Sequence, residues 1–407
     1  MSDHPAVGRL ATADAVRTYQ RDWLADARTR AENGDHFVIC NSDEFEEILS
    51  LFSVPVLVIN YWNNIVLREK KREHFEQVLR DRGFTDTSMF ALGLATAIDP
   101  ANAPWGGLPK PAMILASTRS EVDLRVCELW AREFGCESYP LDFGFTSPFK
   151  QIPPGNWFEL IRDDWPQLID SDRLELRIDE NKALIAHLEQ LLGESFSFRR
   201  LSESMDLVNE QMDFYWAARD LMAQAERTPV TLRDQLAMYQ MIWHRGTKTA
   251  VEFGRRYYEE VAERVDGGLA AYENETIRLL YWDTAAEPAF HPFLQETYGA
   301  VFVACPFTVS AACYARTVYD DDPLRAMSAR HLFLLERTPE WGVREAIDQH
   351  CDAVIGIESP NDYRSALAKA IEDRNIPYLG VPDIRDSPER REMVARFLED
   401  RLGAKRR

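Results

Sequence analysis

Several things are scarce in this 407-residue chain, and each scarcity excludes something. No apolar run approaches the roughly 20 residues a membrane-spanning helix needs. The first ten residues lack the charged-then-apolar order of a secretion signal. Both points lead us to expect a cytoplasmic protein with no membrane partner. Basic residues are outnumbered, with 47 Lys and Arg against 67 Asp and Glu, for a net charge of −20. That balance argues against nucleic acid as a partner, because phosphate backbones need a basic face. It leaves room for a local basic pocket that takes a phosphorylated ligand.

The cysteines number six: Cys40, Cys127, Cys136, Cys305, Cys313 and Cys351. None forms a C-x-x-C pair, so neither a disulfide framework nor a zinc site is expected, and most read as small core residues. No two histidines have zinc-ligand spacing. There is no nucleophile elbow and no Ser–His–Asp order. Neither G-x-G-x-x-G nor G-x-x-x-x-G-K-[ST] occurs, which removes the commonest nucleotide-binding loops.

What is present is an ordinary globular composition, 45% hydrophobic and 28% charged, with length enough for two or three domains. The clearest unit is 351–383. Ala353–Ile357 is an apolar run fit for a buried parallel strand, Tyr363–Asp373 is an amphipathic helix, and Ile376–Val381 is a second strand. This is a βαβ crossover. Ligands in such sheets lie beyond the carboxyl ends of the strands, which draws attention to the loop 358–362.

The chain in order supports a fold of two Rossmann-like parallel-sheet α/β domains joined by helices. A polar helical arm occupies 1–34. Across 35–150, strands at Phe37–Cys40, Val54–Ile59, Met113–Ala116 and Ser138–Leu141 alternate with helices at Asp43–Phe52, Leu67–Arg82 and Val122–Phe134. From 151 to 272 strand signals vanish, and helices are expected at Leu174–Leu192, Ser202–Ala225, Leu232–His244 and Ala250–Val265. From 273 to 407 the alternation returns, with further strands at Ile277–Trp282 and Ala300–Ala304. Helices there are expected at Pro292–Tyr298, Asp322–Leu335, Trp341–His350 and Ser387–Leu402. Asp320-Asp321-Asp322 before Pro323 reads as a helix start rather than a metal site.

Several segments, in order, resemble the family of 2-hydroxyacyl-CoA dehydratase and benzoyl-CoA reductase subunits. They are the acidic helix Ser42–Leu49 followed by Val54-Pro55-Val56, the approach Leu108-Pro109-Lys110-Pro111, and Leu201 to Asn209. Asp352–Ile355, Asn375–Leu379 and Arg391–Glu399 complete the set. The resemblance covers about 35–400. It implies an acyl-CoA thioester as substrate and a heterodimer with a homologous subunit. It also implies a [4Fe-4S] cluster that reduces the thioester carbonyl by one electron, and an ATP-hydrolysing activator protein that supplies the electron.

The chain departs from the family where the cluster ligands belong. Asp86–Ala91 has no cysteine, Ser120 stands at a cysteine position, and the third loop offers Pro360, Asn361 or Asp362. Clusters need thiolates, so the cluster is expected in the partner subunit, with this chain supplying part of the substrate pocket. Two alternatives stand beside this: a cluster-less member with a non-redox acyl-CoA-binding or partner-binding role, and a generic two-domain α/β ligand-binding protein.

The resemblance makes Glu47 and Ser120 candidate catalytic residues. Tyr61, Trp62, Glu121, Asn361 and Asp362 become candidates for substrate binding. Each also has a plain reading. Glu47 can be a solvated helix residue, and Ser120, Glu121, Asn361 and Asp362 can be helix caps or first-turn acids. Tyr61 and Trp62 can be core. His244-Arg245 with Lys248 is a small basic patch in an acidic chain, read as a surface patch, with contact to CoA phosphates as the alternative.

Overall fold

The computed structural model describes residues 8–40, 46–84, 89–117, 121–141, 149–283, 286–310, 313–332, 338–358 and 363–406. Its core elements are two four-stranded parallel sheets. The first holds β1 (Val38–Cys40), β2 (Val56–Val58), β3 (Met113–Ser117) and β4 (Glu137–Leu141), in the order β2-β1-β3-β4. The second holds β5 (Ile277–Tyr281), β6 (Ala300–Ala304), β7 (Ala353–Ile357) and β8 (Tyr378–Val381), in the order β6-β5-β7-β8. The two orders are the same once each sheet is counted from its own first strand. In each, the first strand lies between the second and third, so the winding reverses there, the place where ligand crevices form in sheets of this type.

Inner strands read as continuous apolar runs because both faces are covered. Ile39 sits between Leu57 and Ile114, and Leu280 is registered with Val354. In the second sheet the alternation of side chains divides the core. Leu280, Val301, Val303 and Val354 join a core that continues through the helical section into the first sheet. Leu279, Tyr281, Phe302 and Ile355 face a separate core closed by Val394, Phe397 and Leu398 of the last helix. Edge strand β4 is largely exposed, which suits its Glu137, Ser138 and Pro140.

The helical section forms as its punctuation dictates. Ser171–Leu192 is capped by Asp170, which accepts from Arg173 N at 3.1 Å, and ends at left-handed Gly193. Phe198–Gln224 begins earlier than the expected Ser202, because Ser197 is the residue that caps it, accepting from Arg200 N. Leu232–Tyr239 passes into a tight 3-10 turn, Gln240–His244, before Lys248–Asp266. The N-terminal helix Ala11–Glu32 is tied to this section rather than extended as an arm. Glu260 accepts from the amides of Ala11 and Thr12 at 2.8 and 2.9 Å, and Asp234 accepts from Leu10 N at 3.0 Å.

Two expectations change in the first domain. The strand expected over Val54–Ile59 is only Val56–Val58, and a helix, Ile59–Arg68, follows at once. The helix expected over Leu67–Arg82 is therefore two, the second being Arg72–Asp81, with Lys70 in a left-handed conformation at φ 56° between them. The aspartate run behaves as read: Asp322 Oδ1 accepts from Arg325 N at 2.9 Å and starts the helix Pro323–Leu332. No helix among the described residues is long and apolar enough to cross a membrane.

Candidate functional site at the junction of the two sheets

Glu47 lies on the short helix Glu46–Leu51 that follows β1, on the carboxyl side of that strand. It is fully buried. Arg245 donates to it twice, Nε to Oε1 at 2.6 Å and Nη2 to Oε2 at 3.0 Å. Arg330 Nη2 lies 2.6 Å from the same Oε1. Burial alone would raise the carboxyl pKa. Arg245 and then Arg330 outweigh it, so Glu47 is held below the ordinary glutamate range and stays ionised. The expected solvated helix residue is instead the shared counter-ion of two buried arginines.

Arg245 reaches this place because of its neighbours. It leaves the 3-10 turn Gln240–His244, and Gly246 after it has φ 75°. A Cβ on Gly246 would stand 2.2 Å from Ser204 Oγ and 3.6 Å from Glu47 Cγ, so the backbone can pass only as glycine. Arg330 projects from Pro323–Leu332, and Arg316 is buried with it, Nη1 donating to the carbonyls of Cys313 and Ala315. Burial pushes the Arg316 pKa down to about 9, with Arg330 adding to the shift. His331 is pushed well below its usual value, by burial first and then by Arg330, Arg177 and Arg245. The centre is strongly cationic inside an acidic protein.

An aromatic wall adjoins it. Tyr61 stacks on Trp243, with ring centroids 5.7 Å apart and planes 7° apart, and tilts against Tyr239 at 5.8 Å. The hydroxyls of Tyr239 and Tyr314 are 2.9 Å apart, and the Arg245 guanidinium lies 5.4 Å from the centre of the Tyr314 ring. Trp243 Nε1 donates to the carbonyl of Val56 at 2.8 Å. Thus Glu47 and Tyr61 from the first domain, Tyr239, Trp243 and Arg245 from the helices, and Tyr314 and Arg330 from the second domain form one contiguous set.

The remaining sequence candidates divide. Trp62 is fully buried and its indole N–H donates to Thr96 Oγ1 at 2.9 Å, which places it in packing against the helix Met89–Ile98. Ser120, Asn361 and Asp362 lie outside the described residues, as does the side chain of Glu121, the first residue of the helix Glu121–Phe134. His244 and Arg245 are not the expected surface patch. Both are buried, and His244 stacks on Trp243 at 4.7 Å, with burial pushing its pKa down to about 3. Sequence reading missed Arg330, Tyr239 and Tyr314. The available signal was an Arg-His pair set inside the apolar stretch 323–335.

The described residues do not fit an iron–sulfur cluster. Among them no group of three His, Cys, Asp or Glu side chains could hold a metal ion. Cys40, Cys127, Cys305 and Cys313 are buried, and burial raises the Cys313 thiol to about 12, away from the thiolate a cluster requires. The segments 86–91 and 358–362 contain no thiol at all.

Two parallel doubly wound sheets, joined by helices and meeting at an ion-paired, aromatic-lined junction, define a two-domain α/β protein with a candidate site at that junction. Residues 85–383 match the family model described as 2-hydroxyglutaryl-CoA dehydratase, D-component, and the chain belongs to that family. No curated protein matches the chain. Arg245, Tyr314 and Arg330 fall within the matched span, whereas Glu47 and Tyr61 precede it.

Proposed function

We propose that this chain is a subunit of a 2-hydroxyacyl-CoA dehydratase or benzoyl-CoA reductase type of complex, and that it helps bind an acyl-CoA thioester at the junction. The observation that carries the reading is the convergence of Glu47, Arg245, Arg330, Tyr61 and Tyr314 from all three sections, in a chain of this family. The aromatic wall suits the apolar acyl portion. Guanidiniums fixed beside it suit a thioester oxygen that gains negative charge, since their donors are oriented before the charge forms. Glu47 then serves as a positioning residue that holds both arginines. The [4Fe-4S] cluster and its ATP-dependent activator belong, on this reading, to the homologous partner subunit. The missing thiols favour one second reading, a member that keeps acyl-CoA or partner binding without redox chemistry.

The test is anaerobic co-purification with a homologous subunit, iron analysis of each chain, and calorimetry with a panel of acyl-CoAs. We expect iron in the partner alone, acyl-CoA binding by the complex, and dehydration or ring reduction only there. Tyr61→Leu should weaken binding about tenfold, roughly 1.4 kcal/mol, and should also lower the melting temperature, because the ring is buried against Trp243 and Tyr239. Binding without turnover in any complex selects the second reading. Silence towards every acyl-CoA, or about four irons per copy of this chain, overturns the proposal.

A further inference from the structure

A second cationic feature lies outside the Glu47 cluster. A cavity of about 460 Å³ is lined by the end of the helix Ile59–Arg68, by Leu232–Tyr239 and by residues 286–292 after β5. Four cations border it: Arg17, Arg68, Lys70 and Arg233. Among the described residues lining it Glu287 is the one carboxylate, and it is already bonded to His291 Nδ1 at 2.6 Å. In a chain of net charge −20 this local reversal is the opposite of what composition would place there.

The cations are also under-neutralised. Arg17 pairs with Asp14 and Asp234 at 2.6 and 3.1 Å. Among the described residues, Arg68, Lys70 and Arg233 have no ion pair. Among the described residues the Arg68 guanidinium makes one hydrogen bond, from Nη1 to Gln240 Oε1 at 3.4 Å, and its Nη2 is buried with no hydrogen-bond partner. Asn64 Oδ1, also on the wall, is likewise buried and unpartnered. Burial lowers the Arg68 pKa to about 10, and Arg233, Arg21 and Arg9 push the same way against Glu69. Lys70 is held at the rim by its left-handed backbone. Trp105, itself left-handed at φ 53°, lies under both Arg21 and Arg68 at 5.3 and 5.4 Å and orients them. Such converging, partly desolvated donors with too few acceptors are what a multiply charged oxyanion completes.

We infer that this cavity is a phosphate-binding site that takes a phosphoryl or pyrophosphoryl group through Arg68, Lys70 and Arg233. Asn64 lies three residues after Tyr61 on one helix, and Gln240 directly follows Tyr239, so the cavity begins about one helical turn from the aromatic wall. Resting on the function proposed above, the site takes the phosphates of the acyl-CoA while the thioester lies at the wall. The phosphate site itself does not require that assignment.

The experiment titrates inorganic pyrophosphate into the full chain and follows heat and tryptophan fluorescence at about 50 and 200 mM salt. We expect saturable binding that weakens with salt and falls at least tenfold in an Arg68→Gln/Arg233→Gln variant. Arg255→Gln, on the exposed face of Lys248–Asp266, should bind as wild type, and Trp105→Phe should remove the optical signal but not the heat. No saturable binding, or equal binding by the double variant, overturns the inference. Competition separates it from the proposed function. If pyrophosphate binds but no acyl-CoA displaces it, the phosphate site stands and the acyl-CoA placement falls. If acyl-CoA binds equally well to wild type and the double variant while pyrophosphate shows no saturable binding to either, this site is refuted and the function stands.

Discussion

Replacing Glu47 with glutamine tests the junction most directly. The substitution keeps the shape and removes one charge, leaving Arg245 and Arg330 without the carboxylate they share at 2.6 Å. All three side chains are fully buried. Removing one member of a buried ion pair costs about 3–5 kcal/mol, because the remaining charge is left desolvated. An unfolding entropy of about 2.1 cal/mol/K per residue gives about 0.85 kcal/mol/K for 407 residues. The melting temperature should therefore fall by about 4–6 °C if the chain unfolds as one unit. The pH dependence has a definite sign. The folded carboxyl is held below its unfolded value, so its stabilisation is complete above the ordinary glutamate pKa and is lost as pH falls through the folded one. Differential scanning calorimetry of wild type and Glu47→Gln should show the full gap at pH 7 and a shrinking gap below about pH 4. Adding Arg330→Met to Glu47→Gln should recover part of the loss, since one stranded charge is removed. Equal melting temperatures at pH 7, or a gap that widens on acidification, would refute the argument.

His244 should make the fold acid-sensitive. Its pKa is about 3 when folded against about 6.5 unfolded, so between these values the unfolded chain binds one more proton, and stability falls by about 1.4 kcal/mol per pH unit of acidification. His244→Phe, which keeps the stack on Trp243, should remove one proton from the dependence of urea midpoints between pH 4 and 6, and an unchanged slope would contradict this. Gly246→Ala should cost about 2–4 kcal/mol, through the clash with Ser204 Oγ and the left-handed backbone, with a wild-type urea midpoint as the refuting result.

The second domain was easy to read because its strands are punctuated. Ala300–Ala304 follows left-handed Gly299, and Ala353–Ile357 follows Cys351-Asp352, so each apolar run has clear ends. The first domain was harder. Ile59–Arg68 buries Ile59, Tyr61, Trp62, Asn63, Ile65 and Val66, and Met89–Ile98 is apolar on every side. A helix without a polar face, such as Met89–Ile98, shows no 3.6-residue period, while Ile59–Arg68 follows Val56–Val58 with no intervening turn to mark its start. The site was legible only in halves. Glu47 and Tyr61 stood out, but their partners lie far along the chain, Arg245 some 198 positions after Glu47. Two basic residues among helices look solvated until the fold shows what covers them. Ion pairs made across domains leave no local pattern in sequence.

The turn Gln240–His244 has a mechanical consequence. Immediately around it, Trp243 is fastened to the end of the first sheet at Val56, Tyr239 to Tyr314 of the second domain, and Arg245 to Glu47. Two-lobed α/β proteins often admit ligands by swinging their lobes apart about a linker. Here the linker is itself the clasp. Parting the lobes would break a phenol pair, an indole bond and a buried double ion pair in one motion. Such an opening is too costly to serve as a gate.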